Sequence, residues 1–210
     1  IRATLSWGLA SPQGIQFGTG LVFTLLWFWY RRGRFMEGLE WADKYLAVPD
    51  VQNTPPLRAL ALASSGMMAL WQGKQDIALS KLQETLSIVQ MLGDERLEAI
   101  ARMANGIAFI NMGRDGGAQP LLEQSSLFFK KTNQFYFHAL TLVHLGNAEL
   151  GLGHPEKARA YHEEALAQAR TIDENWLLSF ALNNLGEVAR AQGQFDLARE
   201  YYEECEELLR

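Results

Sequence analysis

The chain is nearly devoid of cysteine: Cys205 is the one thiol in 210 residues. An internal disulfide framework is excluded, and a reducing, cytoplasmic setting is expected. A basic excess is also missing. Lys and Arg number 19 against 24 Asp and Glu, for a net charge of −5 at pH 7. That balance argues against direct nucleic-acid binding, which favours a basic stripe. Long apolar runs are absent too. Gly18 to Tyr30 is the best candidate, but it falls short of the ~20 residues a spanning helix needs. It ends at Arg31-Arg32 and carries no small-residue cleavage site. It reads as a buried helix, and no membrane association is expected.

The familiar patterns of catalysis are lacking as well. Gly113-Arg114-Asp115-Gly116-Gly117 has the glycines of a phosphate loop but neither its lysine nor a strand before it. His138, His144, His154 and His162 form no H-E-x-x-H pair and show no ligand spacing, so no metal and no cofactor are expected. Glu163-Glu164 and Glu203-Glu204 read as solvated helix faces. Cys205 shares a column with Ser125 and Ala165 and is expected to be a buried, inert thiol. Enzymatic activity is not expected.

What is present is a repeat. Gly33, Gly73, Gly113, Gly153 and Gly193 recur every 40 residues. Gly66, Gly106, Gly146 and Gly186 form a second column, with Leu26 in its first slot, and Ala78, Ala118, Ala158 and Ala198 a third, with Gly38 first. Each copy reads as two helices, A and B. The turn glycine ends helix A in a left-handed conformation. The mid-helix glycine costs about 1 kcal/mol against Ala, so a close approach of helix B is expected there, with the small Ala facing it. The expected helix pairs are 15–32/35–48, 55–72/75–92, 95–112/115–131, 134–152/155–171 and 174–192/195–210. Pro155 suits the first turn of its helix. The third copy is irregular: Arg102 stands where Val22, Leu62, Leu142 and Leu182 stand, and Pro120 should fray or kink the following helix. Drift and a flexible joint are the two readings of that copy.

Leu185-Gly186, Gly193, Ala198 and Tyr202 resemble the tetratricopeptide repeat, as do Leu145-Gly146, Gly153 and Ala158. HEAT repeats share the period without the paired glycine columns. The resemblance implies an all-α, right-handed α-solenoid of about five 40-residue helix-turn-helix hairpins. Its expected organisation is an N-terminal capping or linker helix over 1–14 and a repeat domain over 15–210. The repeats fall near 15–54, 55–94, 95–133, 134–173 and 174–210. It also implies that the A helices line a concave face. On that face the early copies place Trp27, Tyr30, Met67, Trp71 and Met103, and later positions place Asn111, His144, Asn147, Asn183, Asn184, Glu187 and Arg190. The first group suits either a packed core or an apolar groove. The amides suit an extended peptide, because one Asn both donates to and accepts from a backbone unit. Val143 and His144 occupy positions where a carboxylate clamp needs Lys and Arg, so that specific chaperone partner is disfavoured.

The first fifty residues, with Ile1-Arg2-Ala3-Thr4-Leu5-Ser6-Trp7-Gly8-Leu9-Ala10, Phe28-Trp29-Tyr30-Arg31-Arg32-Gly33-Arg34-Phe35 and Gly38-Leu39-Glu40-Trp41, resemble a junction in bacterial signal-transduction ATPases. These regulators include LuxR-type transcription factors, and there the ATPase part gives way to a tetratricopeptide arm. The resemblance implies a sensor or partner arm of a larger regulator, and the start at Ile1 and the stop at Arg210 within a helical pattern suggest a piece of a longer protein. Expected partners are a peptide, a protein or a neighbouring domain. Alternatives are a small-molecule inducer held by Trp27, Trp71, Asn111 and His144, or a self-associating homodimer.

Overall fold

The turn glycines set the frame. In the computed structural model, which describes residues 1–208, all five have positive φ, from +63° at Gly33 to +79° at Gly153. Around each, two backbone bonds close the end of helix A. At the first, Gly33 N–H donates to Tyr30 O at 3.1 Å and Arg34 N–H to Trp29 O at 2.9 Å. Gly193 to Arg190 O and Gln194 to Ala189 O repeat the pattern at the last. This is the Schellman arrangement, which satisfies carbonyls the helix cannot reach.

A fourth 40-residue column lies at the B-to-A turns, where Gly93, Asn133 and Asp173 have φ of +67°, +54° and +53°. Sequence reasoning overlooked it because only one of the three is glycine. Asn and Asp are the side chains that tolerate this region best. Asp173→Gly is therefore expected to stabilise the chain by about 0.5–1 kcal/mol, read as a shift in the urea midpoint.

Among the described residues there are thirteen helices and no strand. They divide into two compact units, Ile1–Ala108 and Phe109–Arg210. The division falls within the third repeat.

Unit 1 begins with α1 (Arg2–Gly8) and α2 (Pro12–Thr24). Ser11 caps α2 by accepting from Gly14 N–H at 3.1 Å. One helix was expected over 15–32; it begins at Pro12 and is interrupted at Leu25, and α3 (Leu26–Arg31) follows. The Thr24 hydroxyl donates to Gly20 O at 2.9 Å, a back-bond that bends helices. Then come α4 (Phe35–Leu46), the unforeseen short α5 (Pro49–Asn53), α6 (Pro55–Trp71), α7 (Gln75–Leu92) and most of α8 (Glu95–Asn111), whose last three residues belong to unit 2. Val51 of α5 is buried with Ile15 and Ala61, which explains why a five-residue helix forms. Tyr45 of α4 is fully buried and donates its hydroxyl to Leu5 O at 2.7 Å, satisfying a carbonyl in the last turns of α1. Asp43, Ser65 and Lys81 clamp α4, α6 and α7, with Lys81 Nζ 2.8 Å from the Asp43 carboxylate.

Unit 2 contains α9 (Asp115–Lys131), α10 (Phe135–Gly151), α11 (Pro155–Thr171), α12 (Asn175–Ala191) and α13 (Phe195–Leu208). Each packs on its neighbour in chain order, and α10 also meets α12. Pro120 does not break α9. It and Gly116, whose carbonyl loses its partner, are both exposed, so water can take that carbonyl. Cys205 is half-buried rather than buried, and its thiol donates weakly to Ser179 O at 3.4 Å.

The mid-helix glycines are approached closely, but not by the small Ala. A Cβ on Gly66 would lie 2.9 Å from Leu82 Cγ, one on Gly146 2.6 Å from His162 Nε2, and one on Gly186 2.7 Å from Tyr202 Cζ. The facing residues are Leu82, His162 and Tyr202, four positions after the Ala column. The glycine admits a large side chain flat against the A-helix backbone. The first repeat exchanges the sizes: Leu26 stands in the glycine slot and Ala42 opposite, both in one buried cluster.

Candidate functional site

In unit 1 the expected apolar group is partly brought together. Tyr30 and Trp71 ring centroids are 4.6 Å apart, Trp27 lies 5.5 Å from Tyr30 and 6.0 Å from Trp71, and Phe35, not foreseen, completes the cluster. These rings are half-buried against one another, and Met67 and Trp71 pack on the core formed by α1–α4 and α6. Met103 is only 6% exposed. Its place on a ligand-facing surface is corrected: it belongs to the core. Mutual packing accounts for most of this group, as expected for aromatics at helical spacing.

Unit 2 positions the polar group on α10 and α12. His144 stacks edge-on against Phe180 at 5.7 Å, and Trp176 lies 5.2 Å from Phe180. Asn147 is half-buried and Asn183 exposed, and neither side chain has a hydrogen bond to another of the described residues. Asn184 donates to Phe180 O at 2.7 Å, one turn back, which leaves its carbonyl oxygen available. Asn105 makes the contrast. It is a core amide, whose Nδ2 donates to Leu82 O and Ala101 O, each at 2.9 Å. Asn111, in unit 2 at the end of α8, is exposed.

Glu187 and Arg190 are not independent ligand groups. Arg190 donates to Glu187 Oε2 through Nη2 at 2.6 Å and Nε at 3.2 Å, and the Tyr202 hydroxyl donates to Oε1 at 2.7 Å. These bonds hold the Glu187 carboxyl below its ordinary range, so it stays ionised. Tyr202 was not among the expected site residues; the sequence marks it as a hydroxyl-bearing ring in a column otherwise filled by Ala, Leu, Leu and His, but not what that hydroxyl meets.

The histidines have structural explanations. His138 Nδ1 is 2.9 Å from the Gln168 amide, and His154 Nδ1 is 2.7 Å from the buried Glu149 carboxylate. His162 is fully buried, with no partner for either ring nitrogen, and burial pushes it down to about 4. Burial, with a smaller contribution from His162, pushes His144 down to about 4 as well. Both rings are neutral at pH 7. Among the described residues no group of three His, Cys, Asp or Glu is gathered to hold a metal ion, and no helix is long and apolar enough to cross a membrane.

The comparisons agree with this architecture. Residues 137–210 match the family model described as tetratricopeptide repeat. No curated protein matches the chain in sequence. Among solved structures, BtubC (BKLC) from P. vanneervenii superposes with a TM-score of 0.76 at 18% identity, covering 99% of this chain and 85% of its own. A Rap protein complexed with competence and sporulation factor gives a TM-score of 0.80 at 12% identity, covering 94% of this chain and 55% of its own. NprR in complex with its cognate peptide NprX gives 0.73 at 18%, covering 90% and 55%. The chain thus spans about half the length of these last two. The fold is an all-α repeat of tetratricopeptide-like helical hairpins.

Proposed function

We propose that this chain is a non-catalytic interaction module and that the exposed face of α10 and α12 binds an extended peptide segment. The carrying observation is the pair of amides, Asn147 and Asn183, held on helices without a hydrogen-bond partner among the described residues, beside Asn184, whose carbonyl oxygen has none there either. An extended peptide offers unpaired N–H and C=O groups, and an Asn can engage both at once. Trp176, Phe180 and His144 supply adjoining aromatic surface. Two solved structures that share this fold support the same reading: NprR in complex with its cognate peptide NprX, and a Rap protein complexed with competence and sporulation factor. In this proposal the module is the partner-binding arm of a larger bacterial regulator, a reading supported by the resemblance of the first fifty residues to the junction in signal-transduction ATPases.

Peptides selected from a random library should lose at least tenfold in affinity for the Asn147→Ala, Asn183→Ala double variant, by fluorescence polarisation, with the helical circular dichroism unchanged. Undiminished binding by the double variant would remove this face from consideration.

A further inference from the structure

The two units differ in charge. Residues 109–210 carry nine Lys and Arg against fifteen Asp and Glu, a net −6, whereas residues 1–108 carry ten against nine. The acidity is confined to the unit that bears the free amides. Of the carboxylates on α10 and α12, Glu149 is buried and bonded to His154, and Glu187 is 40% exposed. Glu187 is fixed from behind. Tyr202 crosses from α13 over Gly186, where any Cβ would strike its ring, and donates to Oε1 at 2.7 Å. From the solvent side, among the described residues, Oε2 takes only Arg190, which is 60% exposed.

No other repeat combines these three residues. Where Glu187 stands the other copies have Trp27, Met67, Ile107 and Asn147, and where Arg190 stands they have Tyr30, Leu70, Ile110 and Leu150. An exposed i,i+3 ion pair is weak and screened by salt, so a second cation can displace Arg190 while Tyr202 keeps the carboxylate in place.

We infer that the ligand of this face is a basic peptide, one of whose cations replaces Arg190 on Glu187. This rests on the peptide-binding reading above. Asn183 precedes Glu187 by four residues, roughly 6 Å along the helix, about two residues of extended peptide. The cation therefore lies within about two residues of the backbone unit that Asn183 meets. The acidic field of the unit draws such a ligand in and repels an anionic one.

The test is to select a random heptapeptide library on the wild-type chain and measure the recovered peptides by fluorescence polarisation. Wild-type, Glu187→Gln, Arg190→Ala and Tyr202→Phe chains are compared, each peptide with a free and an acetylated amino terminus. Selected peptides are expected to be rich in Lys and Arg and to lose at least tenfold in affinity with Glu187→Gln. Tyr202→Phe should weaken them less, and Arg190→Ala should tighten them two- to fivefold by removing the internal competitor. Sensitivity to acetylation would assign the cation to the terminus, and insensitivity to a side chain. Weaker binding with Arg190→Ala, or selected peptides that are neutral or acidic, would overturn the inference. If those peptides still depended on Asn147 and Asn183, the peptide-binding reading would stand alone. Basic peptides that ignore those amides would sink that reading and leave the role of Glu187 intact. Recovery of no binder would overturn both.

Discussion

Replacing His162 by Leu is expected to stabilise the chain by about 1–3 kcal/mol at pH 7, the range for relieving a buried polar group of its missing partner. The neutral imidazole has one donor and one acceptor, and in its fully buried position neither is used. The repeat supplies its own control, because Leu82 and Leu122 occupy the same column and are fully buried. The gain should widen in acid. His162 titrates at about 4 in the folded chain against 6.5 unfolded. The unfolded state then binds more protons between those values, so stability falls as pH drops from about 6.5 to 4 and levels off below. A shift of that size corresponds to about 3 kcal/mol. Urea unfolding from pH 7.5 to 4 should show a steep decline in the wild type and a shallower one in His162→Leu, the remainder belonging to His144 and His138, whose burial also lowers them, and to the bonded carboxyls of Glu37 and Glu187. A variant less stable than wild type at pH 7 would show that the ring does hold a partner.

Exchanging sizes across one glycine slot should be tolerated far better than changing either side alone. Gly146→Leu forces a side chain into the His162 ring, and overpacking of this kind costs about 1–3 kcal/mol or more, above the ~1 kcal/mol a helix gains on losing glycine. His162→Ala alone opens a cavity worth about 2–4 kcal/mol. Together the two changes recreate the first repeat, in which Leu26 meets the space left by Ala42. The double variant is expected to be at least about 2 kcal/mol more stable than the sum of the singles predicts. Additive losses would mean that the slots of the two repeats are built differently.

The hairpin frame was legible because its signals are local. A left-handed turn wants glycine whatever surrounds it, so Gly33 through Gly193 mark five helix ends without help from the tertiary structure. The companion column of Gly93, Asn133 and Asp173 was harder to see, since three residue types serve one backbone conformation. The partner of Gly146 depends on how far one helix leans on the next. Periodicity gives the face of a residue but not the reach of its side chain, and so Ala158 was favoured over His162. The same limit explains Met103, which shares the period of the exposed residues yet lies in the core. Among the candidate site residues, Asn147, Asn183 and Asn184 could be read from chemistry and spacing. That Glu187 is held by Tyr202 could not, because the bond spans two helices and passes through the gap that Gly186 leaves.

The central claim is that free amides on α10 and α12 receive a peptide, and side-chain amide NMR tests it most directly. The NH2 resonances of Asn147, Asn183 and Asn184 would be followed as a library-selected peptide is titrated in, with Asn133 and Asn175 as references off that face. The account predicts large shifts for Asn147 and Asn183, a smaller one for Asn184, whose Nδ2 is already bonded to Phe180 O, and none for the references. Saturable binding that leaves Asn147 and Asn183 unmoved would contradict it.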